Sequence, residues 1–181
     1  MHLVCLIQHT FKHSEPMISI IAAHGNNLEI GQGGQIPWPF LAPDMSRFRL
    51  TTLHKTIIMG SRTFKSLNSR PLPQRENIVV TRNPRKYNSL EHLTFVSDPQ
   101  EVFDEFVDSN EELMVIGGAQ LYQVALSFAS TLYITKIYKD YPQADTFFPK
   151  YNEQDYEFVE AGHSQLDLTS NLTYQFFKFL K

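Results

Sequence analysis

One acid, Asp44, stands in apolar company inside "GGQIPWPFLAPDMSRF" (33–48). Two kinds of chemistry fit it. In the first turn of a helix it would be a solvated acid favoured by the helix dipole. On a helix beginning at 44, however, it shares a broad face with Met45, Phe48, Thr51 and Thr52. A carboxylate on that face can point into a ligand pocket, where desolvation raises its pKa and a cationic or amidine-like heterocycle can pair with it. Position alone leaves both open.

A second signal lies in "LMVIGGAQLY" (113–122), an apolar strand that runs through Gly117 and Gly118 straight into a helix. Helix-start N–H groups are unpaired and favour a phosphate, and glycine lets a ligand approach the backbone. A tight strand-to-helix turn without a ligand fits the same residues. "GSRT" (60–63) repeats the pattern, with Arg62 and Thr63 at a helix start. A cation gains nothing from the dipole there, so an anion between them makes better sense of Arg62. Arg82, after the strand "NIVVT", is another cation at a strand end, the edge at which open α/β sheets bind ligands. Both arginines are equally consistent with solvated surface positions. "GQGG" (31–34) is followed by "QIPWP" instead of a helix, and "GSRTFKS" (60–66) lacks the Gly-Lys-Ser/Thr ending, so neither is a nucleotide fingerprint. His9 and His13 are four apart, but no Glu follows His9, and no metal site is expected.

The elements that must position these residues alternate between strand and helix. Strands are expected at 18–23, 56–60, 77–81, 93–97, 113–118 and 131–138, and helices at about 44–54, 62–67, 98–107 and 119–129. Asp98, Pro99 and Glu101 give the third helix an N-cap, a first-turn proline and a capping box. Such alternation implies a mainly parallel sheet with right-handed crossovers. "YEFVEAGHS" and "LTYQFFKFL", around the turn-rich "LDLTSN", form a closing antiparallel hairpin. Residues 25–43 carry four glycines and three prolines, a loop long enough to serve as a lid. Residues 1–16 read as a peripheral extension, with Met17 able to start the domain 17–181. With 181 residues, 42% hydrophobic and a formal charge of −3, the chain suits one domain with no global attraction to nucleic acid or anionic membrane. One cysteine, Cys5, excludes an internal disulfide. No transmembrane run or signal peptide is expected, and the cytoplasm is the expected location.

Taken together, "ISIIAA", "IGQGGQIPWPFLAPDMSRF", "TIIMGSRTFKSL", "RPLPQRENIVVTR", "MVIGGAQLY", "LYITKI" and "DTFFP" resemble, in order, the dihydrofolate reductases of the bacterial chromosomal type. The match runs from Met17 nearly to Lys181. The resemblance implies an α/β fold with a mixed, mainly parallel eight-stranded sheet flanked by helices. It also implies hydride transfer from NADPH to C6 of 7,8-dihydrofolate, with protonation of N5, to give the tetrahydrofolate of one-carbon metabolism.

Site roles follow from the same resemblance. Asp44 would bind the 2-amino group and N3 of the pterin, Thr135 would hydrogen-bond the carboxylate or the pterin, and Trp38 would hold a water nearby. The carbonyls of Ile21 and Ile116 and the hydroxyl of Tyr122 would face the pterin–nicotinamide junction. Met45, Phe48 and Leu67 would line the substrate, and Arg75 would clamp its glutamate carboxylate. Ala23, Ile30 and the adjoining Gly31 would meet the nicotinamide. Thr63 and the Gly117–Gly118–Ala119–Gln120 turn would take the pyrophosphate, with Gly117–Gly118 cis. Arg62 and Arg82 would take the 2′-phosphate; Ser61 stands where many relatives have a basic residue. A water passing the 25–43 lid would protonate N5. Diaminopyrimidine antifolates are the implied inhibitors and a monomer the implied state.

The sequence has one residue more than the commonest bacterial spacing between Trp38 and Asp44, and one more before Arg70. Two other readings remain: a reductase of this fold acting on a riboflavin precursor, and a non-catalytic pterin- or nucleotide-binding module.

Overall fold

The computed structural model describes residues 17–107 and 109–181. The expectations for residues 1–16, with Cys5, His9 and His13, lie outside them. The order is β1 (Ile18–His24), β2 (Glu29–Gly31), α1 (Ala42–Thr52), β3 (Thr56–Gly60), α2 (Ser61–Ser66), β4 (Glu76–Val80), β5 (Leu93–Val96), α3 (Pro99–Val107), β6 (Leu113–Val115), α4 (Ala119–Ala125), β7 (Thr131–Ile137), β8 (Thr146–Phe147), β9 (Glu157–Ala161), β10 (Gln165–Asp167) and β11 (Leu172–Leu180).

β1 is mostly apolar and buried along nearly its whole length because it is in the middle of the sheet. It pairs in parallel with β6 on one edge and β7 on the other, and Ile18 and Ile20 are wholly buried. From β6 the sheet continues through β3 and β4 to β5, all parallel; from β7 it continues to β11, antiparallel. β9 and β10 both pair with β11. They are one hairpin arm broken in two, so the nine strands fill the eight positions expected. Helix α3 shows its amphipathic design directly: Val102, Phe103 and Phe106 are buried, and Asp98 accepts from the Gln100 N–H at 2.9 Å, as an N-cap should. No helix among the described residues is long and apolar enough to cross a membrane.

Two expectations need correction. α1 begins at Ala42 instead of Asp44, because Pro43 fits a first helical turn, where its missing N–H leaves no bond unmade. The 25–43 segment is also not one open loop. β2 pairs with β8, Phe148 N–H donates to Leu28 O at 2.7 Å, and Gly33 N–H donates to an Asp145 carboxylate oxygen at 2.7 Å. Strands of three and two residues give no periodic signal in sequence.

Glu29 anchors this segment. It is 2% exposed, and its carboxylate accepts from the Asn27 N–H (2.7 Å), Asn27 Nδ2 (3.1 Å) and the Tyr141 N–H (3.1 Å). Burial pushes its pKa up, but the donors outweigh burial and hold it below the ordinary value. Glu29→Gln turns an amide NH2 toward these donors and should lose about 2 kcal/mol of stability. A depressed folded pKa gives a contribution that is complete above the ordinary value of 4.5 and is lost as pH falls through the folded value. Denaturant titrations should therefore show the gap between wild type and variant narrowing below that pH.

Candidate active site

The parallel strands all end on one edge of the sheet, and the candidate residues gather there. Thr135 of β7 lies in register with Ala23 of β1 and is 1% exposed. Its hydroxyl donates to Asp44 Oδ1 at 2.7 Å. Asp44 thus faces the sheet from the first turn of α1. Burial raises its pKa, while the Thr135 hydrogen bond and the Arg47 charge pull the other way without cancelling the rise. Asp44 is half-buried and its carboxylate is turned toward the sheet, where Thr135 holds it.

Around this pair, Tyr122 donates its hydroxyl to Ile21 O at 2.9 Å. That phenol is fully buried, and burial first, then the Asp44 charge, keeps it protonated. Ile21 and Ile116 belong to one buried cluster, against which Phe48 and Leu67 pack. Trp38 is buried in another cluster, its ring 5.6 Å from that of Tyr141. Met45 is exposed, as are Ile36, Phe40 and Leu50 around the same helix. Arg75, also buried, donates from Nε to Thr52 Oγ1 (2.9 Å), from Nη1 to Pro73 O (2.7 Å) and from Nη2 to Arg49 O (3.3 Å). These contacts fix its fork at the C-terminal end of α1. In the turn before Arg70, Asn68 and Ser69 take φ of +58° and +53°, a region that asparagine tolerates better than most residues.

The glycine pair follows β6. The Gly117–Gly118 peptide is cis, and Gly118 is the N-cap of α4. A Cβ at Gly117 would stand 3.3 Å from both Thr63 Oγ1 and the Tyr122 hydroxyl oxygen, and one at Gly118 would stand 3.3 Å from Thr63 Oγ1. This is a bare backbone cradle that a side chain would fill, and it fits the close approach of a nucleotide. Ala119 and Gln120 line an open depression of about 350 Å³ with Gln123, Phe147 and Pro149. Arg62 and Arg82 are exposed, each two residues beyond the registered pair Gly60–Val80 that ends β3 and β4. Ala23 and Ile30 are half-buried, and Gly31 is buried where β2 meets β8.

Arg47 was not singled out from sequence. One helical turn after Asp44, a cation looks like an ordinary intrahelical partner. In the structure its fork reaches into the sheet, to the Ile134 carbonyl (3.0 Å), Thr135 Oγ1 (3.2 Å) and the Phe177 carbonyl (2.7 Å).

A half-buried acid held by Thr135 and a bare glycine turn after a parallel strand are features that an α/β enzyme of nucleotide-dependent chemistry would use. The family model for dihydrofolate reductase matches residues 17–181. Dihydrofolate reductase of Bacillus subtilis (strain 168) is 38% identical over 165 residues, covering 91% of this chain and 95% of the relative. The type 3 enzyme of Salmonella typhimurium is 39% identical over 152 residues, covering 83% and 89%. Among solved structures, Enterococcus faecalis dihydrofolate reductase complexed with NADP(H) and RAB-propyl superposes with a TM-score of 0.80 at 28% identity, covering 92% of this chain and 96% of that one. The chain belongs to the dihydrofolate reductase family.

Proposed function

We propose that this chain reduces 7,8-dihydrofolate to 5,6,7,8-tetrahydrofolate with NADPH, and that residues 17–181 are the whole catalytic unit. The observation that carries this reading is the Asp44 carboxylate, held by Thr135 at 2.7 Å and raised in pKa by burial. It is suited to the paired N–H donors of a 2-amino-pyrimidinone ring. NADPH, when bound, supplies the hydride. The chain supplies position and charge. Thr63 and the Gly117–Gly118–Ala119–Gln120 turn hold the pyrophosphate, Arg62 and Arg82 the 2′-phosphate, and Ala23, Ile30 and Gly31 the carboxamide end. Ile21, Ile116 and Tyr122 bring the two rings together, and Phe48, Leu67 and Met45 wall the pterin and benzoyl groups. Asp44 anchors the pterin on the side away from N5, so the N5 proton comes from a water admitted past the 25–43 segment. Trp38 holds a second water. Every group comes from one chain, so a monomer suffices, and we place it in the cytoplasm.

The direct test is loss of NADPH absorbance with and without dihydrofolate, and its blockade by a 2,4-diaminopyrimidine. No dihydrofolate-dependent loss would refute the proposal. Arg75 gives a finer test. Its fork suits a carboxylate, so Arg75→Gln should raise KM for dihydrofolate about 10- to 100-fold, the worth of one or two charged hydrogen bonds. KM for NADPH, and the affinity of a diaminopyrimidine lacking a glutamyl tail, should hardly move. Equal losses for tailed and tailless ligands would remove Arg75 from the substrate site.

A further inference from the structure

The geometry points to Arg47 as a positioning residue that sets the Thr135 hydroxyl as donor to Asp44 and so orients the carboxylate that anchors the substrate. The inference rests on the function proposed above, and it starts from proton counting. A threonine hydroxyl has one proton and two lone pairs, while a guanidinium has only donors. Arg47 Nη1 stands 3.2 Å from Thr135 Oγ1, so in that contact the threonine oxygen accepts. Its single proton is then free to point along the 2.7 Å contact to Asp44 Oδ1. Thr135 becomes a relay with fixed polarity: arginine to hydroxyl, hydroxyl to carboxylate.

The fork itself is held in place. The same Nη1 donates to Ile134 O at 3.0 Å, and Nη2 donates to Phe177 O at 2.7 Å. Ile134 and Phe177 are registered partners across the antiparallel β7–β11 pair. Arg47 therefore grips both strands at one rung, and its guanidinium carbon lies 4.6 Å from the centre of the Phe176 ring. A lysine carries the charge but not a planar fork that can meet three acceptors on two strands. Thr135 on β7 and Arg47 on its own helix act on the Asp44 carboxyl, and its charge reaches the Tyr122 phenol on α4 and the Tyr174 phenol on β11. Burial keeps both phenols protonated. The positive charge of Arg47 and the directed hydroxyl both favour the ionised acid, against the desolvation that opposes it.

The test uses the full chain and a 2,4-diaminopyrimidine as probe, with the single tryptophan, Trp38, as reporter. Probe affinity falls on the acid side as Asp44 takes up a proton and can no longer balance a protonated ligand. That limb reports the Asp44 titration. In Arg47→Met the limb should move up by about 0.5 to 1 pH unit, the low end of what a nearby charge and a hydrogen bond produce. Arg47→Lys keeps the charge and should move it less. In a Thr135→Val background, removing Arg47 should move it by less than half as much, because the relay is already cut. If the limb stays put in both Arg47 variants while thermal stability drops, Arg47 is only a strut and the inference falls. Arg47→Lys decides the matter should Arg47→Met not fold. If wild type shows no acid limb, or Asp44→Asn retains it, the reading of the site falls and takes the inference with it.

Discussion

Asp44→Asn should keep its fold and its NADPH affinity and lose about a thousandfold in turnover of dihydrofolate at neutral pH, within the range that positioned acid–base and electrostatic groups supply. The variant is nearly isosteric, and its amide oxygen can still accept the Thr135 hydroxyl that bonds Asp44 Oδ1 at 2.7 Å. What disappears is the negative charge that balances a pterin protonated at N5. The loss should shrink as pH falls and more substrate carries its own proton, so the kcat/KM profile of the variant should climb toward acid where that of wild type does not. Stability separates this from structural damage. A carboxyl whose folded pKa lies above its unfolded value costs stability once pH passes the unfolded value, and burial raises Asp44 in this way. The variant should therefore melt no lower than wild type at neutral pH. Unchanged neutral turnover would end the assignment; low turnover with a lowered Tm would point to damage instead.

The strands that could be seen in sequence were those whose surroundings are uniform. β1, β3 and β7 are flanked by neighbours on both edges and mostly buried, so they are rich in apolar residues. α3 announced itself through Asp98, Pro99 and its apolar face. β2 and β8 had no such signal, because what makes them strands is each other, across more than a hundred residues of chain. The same division runs through the site. Asp44 and the glycine pair stood out by residue type against neighbours, and the family resemblance supplied roles that spacing could not. Arg47 stayed hidden because its fork meets backbone carbonyls, at sequence separations of 87 and 130. A carbonyl has no residue-type signature. The three contacts that orient Arg75 include two carbonyls for the same reason.

Gly117→Ala should cost about 1–3 kcal/mol of stability from its backbone conformation alone, and it should weaken NADPH binding at least tenfold as the cradle distorts. Gly117 has φ +122°, a conformation that residues with a Cβ rarely adopt. The new methyl would stand 3.3 Å from Thr63 Oγ1 and 3.3 Å from the Tyr122 hydroxyl oxygen. Neither gives way cheaply. Tyr122 is buried and its hydroxyl is tied to Ile21 O at 2.9 Å, while Thr63 lies within α2, whose N-cap Gly60 donates to Gly117 O at 2.7 Å. The backbone must shift, and it carries with it Gly118, the N-cap of α4, and Ile116, whose N–H donates to Ile58 O at 3.0 Å. Gly118→Ala is the control. Its φ of −93° is open to any residue, and its methyl would meet Thr63 Oγ1 alone, at 3.3 Å. Thr63→Ala should therefore relieve much of the Gly118→Ala stability defect and little of the Gly117→Ala one, because removing the threonine hydroxyl leaves both the Tyr122 contact and the positive φ. NADPH titration and denaturant unfolding on the two glycine variants, on Thr63→Ala and on the two double variants measure both effects. A Gly118→Ala defect larger than that of Gly117→Ala would mean that backbone strain and the Tyr122 contact do not govern this turn.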